Sequence, residues 1–258
     1  APVGVVVDGS DSQVASVGSG YASQIVARFN AERMAGQGVQ LAAPGIDARV
    51  RVMFNPTLAA VNTMIPGLVA AIVMLSIMAV MGQAVVKERE RGTLEQMFVT
   101  PIRPTEYLIG KVTPYVLVAN VQLLLVALVG VFWFRVPFAG RISVVVAGLA
   151  LFMLTSIGLG LLISTFMKSQ IAAIFGTAII TLIPATQFSG LTDPVSSLEG
   201  AGRWVGEIYP ATHMFAISRG VFSKALTLGD LTAAFTALAL AIPVIMGIAI
   251  WALPKQER

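Results

Sequence analysis

Lys87-Glu88-Arg89-Glu90-Arg91-Gly92-Thr93-Leu94-Glu95-Gln96-Met97-Phe98-Val99-Thr100-Pro101 is the stretch that decides how this chain folds. It is a charged island, because residues 52–86 before it and 112–134 after it contain no Asp, Glu, Lys or Arg. The island therefore reads as a short loop held between two membrane-length segments. Its first half continues the preceding helix past the lipid boundary, with charge on every side. Gly92 breaks that helix. Thr93 is then a fresh N-cap, Gln96 three positions on completes a capping box, and Pro101 closes the turn. Leu94, Met97 and Phe98 follow an i, i+3, i+4 spacing and share one face. Such a helix on a water-exposed loop fits a groove on a soluble partner. It equally fits an interfacial helix laid into the headgroups. The spacing does not choose between the two.

Composition supports the membrane reading: 56% hydrophobic, 12% charged and a mean hydropathy of +0.83. Five uncharged runs, near 66–86, 112–134, 142–167, 169–188 and 231–253, reach membrane length. About 20 residues of helix cross roughly 30 Å of hydrocarbon. The net charge of +4 is scattered among loops and makes no basic stripe, which argues against nucleic-acid binding. With no cysteine, disulfides, thiolate metal sites and a Cys nucleophile are excluded.

Residues 1–55 are soluble in character. The run at 3–7 reads as a short buried strand ended by the turn Asp8-Gly9-Ser10. Ser12 can cap a helix carrying Val14, Val17, Tyr21, Ile25 and Phe29 on one face. From Ile46 to Phe54 apolar and polar residues alternate, the pattern of a half-buried strand. Two strands and a helix are too little for a stable core. Together with the opening Ala1, this leads us to expect that the chain is the C-terminal part of a longer protein. The acidic turn at 8–11 lacks the spaced ligands of a calcium loop and reads as a plain turn.

Within the spans, Met74, Met78 and Met81 line one face at i, i+4, i+7. Flexible thioethers suit a promiscuous binding wall, although ordinary helix packing uses the same stripe. Asn120 and Gln122 fall inside an apolar run, where amides pair with a neighbouring helix or face a substrate path. Lys111 lies where its stem can snorkel to the interface. Ser156, Gly160 and Ser164, and then Ala172 and Gly176, are small residues at four-residue spacing, a signature of close helix approach. Pro184 is expected to kink the fourth span. The stretch from Gln187-Phe188-Ser189-Gly190 through Trp204 to Tyr209-Pro210-Ala211-Thr212-His213 is too irregular to cross, and reads as dipping into one interface.

Three stretches carry a family resemblance: the island at 87–101, the entry Asn55-Pro56 to Ile65-Pro66-Gly67-Leu68, and the segment 187–213 with its Ser-Gly and Pro-x-x-His. Together they resemble the ABC-2 type permeases, the membrane subunits of ABC exporters. The likeness is to the drug-export-like branch with a large extracytoplasmic domain. It implies an all-α polytopic membrane protein, about five transmembrane helices here and six in the full fold. Residues 1–55 would be part of a small extracytoplasmic α/β domain and 56–258 the transmembrane domain. Within the latter, 87–107 would be the cytoplasmic coupling loop and 189–224 an extracytoplasmic re-entrant segment. It implies an ATPase-coupling surface at Glu88, Arg91, Thr93, Leu94, Glu95, Met97 and Phe98, and, more weakly, a substrate path past Met74, Met78 and Asn120. The partners implied are a cytoplasmic ABC ATPase, a second permease copy and the lipid bilayer. A periplasmic adaptor is an optional further partner. No cofactor or metal is implied, and the location is the bacterial inner membrane.

The side bearing the island carries eight Lys or Arg residues against five in the short loops opposite. The positive-inside rule thus places the island in the cytoplasm. No chemistry of its own is legible. Gly110-Lys111 is followed by Val112, and Thr105 stands where a Walker A loop needs Gly. Ser189 and His213 lack the Gly-x-Ser signature of an intramembrane protease, since position 187 is Gln. The chain is read as a non-enzyme whose ATP use comes from a partner or fused domain. Two other readings stand beside the exporter: a non-transporting membrane scaffold, and the permease part of a fused, ribosome-associated ATPase–permease.

Overall fold

The computed structural model describes residues 2–9, 11–36, 46–58, 60–92, 104–133 and 139–252. The chain divides into two compact units, 1–64 and 65–258.

The first unit is a βαβ crossover. Strands β1 (Pro2–Asp8) and β2 (Asp47–Met53) pair in parallel, Val5 opposite Val50, and helix α1 (Ser12–Gly36) joins them. A parallel pair needs such a long connection. The alternation read in the sequence holds on β2, where Ala48, Val50 and Val52 are half-buried and Asp47, Arg49 and Arg51 are exposed. The helix cap is Asp11 rather than Ser12. Its Oδ1 accepts the N–H groups of Gln13 (3.1 Å) and Val14 (3.3 Å), and a carboxylate there also meets the positive end of the helix dipole. Asn30 exchanges two hydrogen bonds of 2.9 Å with the backbone of Ile46 and ties the helix to the start of β2.

Burial in this unit corrects one expectation, that of a buried first strand, and leaves one apolar face uncovered. The apolar stripe of α1 does not cover the sheet: Val14, Val17, Tyr21, Ile25 and Phe29 are all exposed, and the helix is most buried at the small Ala15. The run at 3–7 is likewise not buried here, with Val3 and Val6 exposed. A two-stranded sheet offers a helix too narrow a face for large side chains, so only its small-residue side is seated.

The second unit is helical. Helix α2 (Ala60–Gly82) enters it and is followed, after a break at Gln83, by α3 (Ala84–Arg91). Then come α4 (Pro104–Leu128) with a π-turn at Val129–Trp133, α5 (Ile142–Phe166), α6 (Gln170–Gln187), α7 (Gly200–Ile208), α8 (Pro210–Lys224) and α9 (Thr232–Ala252). Among the described residues, four stretches are long and apolar enough to cross a membrane: Met64–Arg91, Ile142–Phe166, Gln170–Gln187 and Thr232–Ala252. Helix α4 covers most of the uncharged run read as a further span and opens at Pro104, whose fixed φ suits a first helical position.

The buried core draws chiefly on α2, α5 and α8. Lipid tails are as apolar as leucine, so helix association rests on close packing rather than on burial of grease. The glycines show how close. A Cβ on Gly160 would sit 2.9 Å from the Met81 Cβ and 3.1 Å from the Met78 carbonyl oxygen. One on Gly82 would sit 2.5 Å from Thr177 Cγ2 on α6. Three helices therefore meet within touching distance of backbone, and Met74, Met78, Met81, Phe152 and Leu161 fill the space around them, fully buried. The outward faces of α4, α6 and α9 remain apolar, with Leu117, Phe175 and Leu240 each about two-thirds exposed.

The segment 189–224 is more regular than its sequence suggests: a 3-10 turn at Val195–Ser197, then α7 and α8. At 1.5 Å per residue, the 15 residues of α8 reach only about 22 Å. That is short of the roughly 30 Å of a hydrocarbon core. Yet α8 is not peripheral, since Met214, Phe215, Ile217 and Val221 are buried in the helical core.

Candidate functional site

The charged island begins where α2 breaks. Gln83 turns its side chain back to donate to the Ala79 carbonyl (2.9 Å), and the helix resumes with Lys87 N–H bonding the Gln83 carbonyl (2.9 Å). The N–H groups of Val85 and Val86 are taken by one side chain on another helix. Ser164 Oγ on α5, fully buried, accepts from both at 3.0 and 3.2 Å. A buried N–H left unpaired costs about 1–3 kcal/mol, so Ser164 makes the break tolerable. The break itself is absent from the sequence reading, which carries one helix straight through to Arg91.

Beyond the break, three consecutive residues of α3 reach three different neighbours. Glu88 pairs with Lys111 on α4, and the Lys111 ammonium also donates to the Ala84 carbonyl. Arg89 Nη1 donates to the Met167 carbonyl at the end of α5 (3.1 Å). Glu90 receives the backbone N–H of Gln170 (2.8 Å) and its side-chain amide, at the first turn of α6. Ser169 caps the same helix, accepting the Ala172 N–H at 3.2 Å. Gly92, in the left-handed region at φ 69°, ends α3 as expected and returns its N–H to Arg89 (3.2 Å).

The charges respond to this geometry. The Gln170 amide and backbone N–H hold the Glu90 carboxyl below its ordinary range. Burial pushes the Lys111 ammonium down, and the pairing with Glu88 opposes the shift. The Lys111 side chain is mostly buried and bonded to Glu88 and to the Ala84 carbonyl. The arrangement is a clamp. It ties α3 to α4, to the end of α5 and to the first turn of α6.

Of the expected coupling residues, Glu88 is in the clamp and Arg91 is exposed at its outer end. Thr93, Leu94, Glu95, Met97 and Phe98 lie outside the described residues. Arg89, Glu90, Lys111, Ser164 and Gln170 were not singled out for this role. Ser164 and Lys111 had been noticed, one as a packing residue and one as an anchor, because sequence spacing does not say which backbone groups a break sets free.

The weaker substrate-path residues are not brought together. Met74 and Met78 are fully buried on the inner face of α2. Asn120 is exposed on α4, where its amide donates to the Val116 carbonyl of its own helix (2.7 Å) rather than to a neighbouring helix. Ser189 donates to the Ala185 carbonyl. Among the described residues no group of three or more His, Cys, Asp or Glu could hold a metal ion.

Comparison with known proteins supplies what geometry leaves open. Residues 1–253 match the family described as ABC-2 family transporter protein. The chain belongs to that family. It is 30% identical over 224 residues to the probable multidrug ABC transporter permease YbhR of Escherichia coli, covering 87% of this chain and 60% of that protein. It is 34% identical over 223 residues to YbhS, a permease of the same description and organism, covering 86% and 59%. To the inner membrane transport permease YhhJ of Escherichia coli it is 26% identical over 227 residues, covering 85% and 59%. The chain thus spans about three-fifths of the length of these relatives. No solved structure matches it. As a member of that family it is a membrane protein, and the relatives named above are transport permeases rather than enzymes.

Proposed function

We propose that this chain is part of the membrane subunit of an ATP-driven exporter. It carries a hydrophobic or amphipathic molecule, drug-like or lipid-like, out of the cytoplasm or inner leaflet. The permease works as a dimer in the bacterial inner membrane with cytoplasmic ABC ATPases. The helix read at 93–99 docks on the ATPase, and closure of the ATPases pushes α3. The observation that carries the reading is the clamp, in which Glu88, Arg89 and Glu90 fasten the base of that loop to α4, α5 and α6. An interfacial helix needs no such rigid base, whereas a lever does. The names of YbhR and YbhS favour a drug-like cargo.

The test uses the full-length protein reconstituted with its ATPase, with and without Phe98→Asp. Coupling predicts that the permease-dependent part of ATP hydrolysis falls while the complex still assembles. Unchanged hydrolysis would place the 93–99 face in the headgroups and favour a scaffold role.

A further inference from the structure

Helix α6 has a gap in its hydrogen bonding that another element fills. Pro184 has no N–H, so the Ile180 carbonyl, four residues earlier, lacks its helical donor. Tyr209, at the joint between α7 and α8, turns its hydroxyl into this gap. It lies 3.1 Å from the Ile180 carbonyl and 3.3 Å from that of Thr181. The ring is 9% exposed, and the same hydroxyl is 3.6 Å from Met74 Sδ on α2. Next to it the Thr181 hydroxyl meets Met78 Sδ at 3.2 Å. One side chain of the 189–224 segment thus touches α6 at its proline and α2 at its methionine stripe.

The choice of residues is informative. An alanine at 184 would satisfy Ile180 from within the helix, so that the tyrosine hydroxyl would no longer be that carbonyl's sole donor. Proline with an external donor gives a helix that can bend at the gap without losing a buried hydrogen bond, provided the donor stays in place. A second tie joins the same segment to α2, where Ser218 on α8 donates to the Pro66 carbonyl (3.3 Å).

We propose that Tyr209 is a positioning residue for transport: its hydroxyl replaces the amide that Pro184 lacks, and so fastens the 189–224 segment to α6 and α2. Displacement of α2, started at the charged clamp, is passed through Met74 and Tyr209 to that segment. This rests on the transport reading above, but the fastening itself can be measured without it.

The experiment is a double-mutant cycle on the full-length permease with its ATPase. Tyr209→Phe removes only the hydroxyl, and Pro184→Ala restores the missing amide. Tyr209→Phe lowers the thermal midpoint in the wild-type background and has much less effect when Ala stands at 184. Equal effects in both backgrounds would overturn the fastening. In inside-out vesicles, Tyr209→Phe slows ATP-driven ethidium movement about fivefold, the order of one lost hydrogen bond, while ATP hydrolysis persists. Ethidium movement at the wild-type rate would overturn the positioning role. If the unmutated complex moves no ethidium, the transport reading of this cargo fails, and the cycle still decides the fastening.

Discussion

The two ends of α2 are held in different ways. Past Gly82 the ties are made by charged side chains of α3: Glu88 to Lys111, Glu90 to the start of α6, Arg89 to the Met167 carbonyl. Towards its other end they are made by neutral hydroxyls, Ser218 on the Pro66 carbonyl and Tyr209 beside Met74 Sδ. Charge is affordable only where water or a partner charge is near, because a lone ion in the apolar core costs several kcal/mol. A hydroxyl needs one acceptor and can be buried. The first end is therefore sensitive to charge and pH, and the second to the loss of single neutral groups. Ser164 bridges the two regimes, a neutral side chain buried directly beneath the charged clamp.

The largest effect that would break this picture comes from packing, on which both ends depend. Gly160→Val puts a side chain where Met78 backbone and Met81 already lie within 3.2 Å. Overpacking of this kind costs about 1–3 kcal/mol or more, and thermal unfolding in detergent should show it as the most damaging of these variants. Ser164→Ala comes next, with a loss of about 1–3 kcal/mol for stranding buried N–H groups. Ser156→Ala, eight residues away, is the control. The Ser156 hydroxyl donates only to the Phe152 carbonyl of its own helix (2.7 Å), so its loss should be close to neutral.

The charged end predicts a pH response with a definite sign. Glu90 is held below its ordinary carboxyl value of 4.5 by the two Gln170 donors. A depressed carboxyl stabilises the fold above its unfolded value, and that contribution is lost as pH falls through the folded one. Hydrogen exchange at the first turn of α6 should therefore speed up as the pH drops below about 4.5 beyond the intrinsic change. Glu90→Gln should remove that response; an unaltered pH profile would show that the α3–α6 tie does not depend on the carboxylate. The smallest effect belongs to Arg203→Ala. Its partner Glu207 is four residues away and both side chains are about half exposed. Such pairs contribute at most about 1 kcal/mol, and no shift in midpoint should be resolved.

Much of the frame was legible. Four of the five uncharged runs, Gly92 and the alternation at 47–53 match the structure, because each follows from local chemistry: a charge avoids lipid, a left-handed turn favours glycine, a half-buried strand alternates. The misses have two causes. Asp11 rather than Ser12 caps α1 by a local choice between adjacent residues, whereas the partners of Lys111 and the break at Gln83, which separates α2 from α3, depend on side chains brought in by other helices. The stripe on α1 was identified as one face, but the sequence cannot say whether a face is covered.

The sequence by itself determined that this is a membrane protein with a charged loop between long apolar helices, since hydropathy is a property of each residue and its spacing. Only the tertiary structure decided which polar atoms close the gaps left by Gln83 and Pro184. Those gaps are filled from other helices, by Ser164 and Tyr209, nearly 80 and about 25 positions along the chain. A backbone group freed in one helix must be paired wherever the fold brings a donor or acceptor within about 3 Å. That meeting is a fact of three dimensions, with no trace in local spacing.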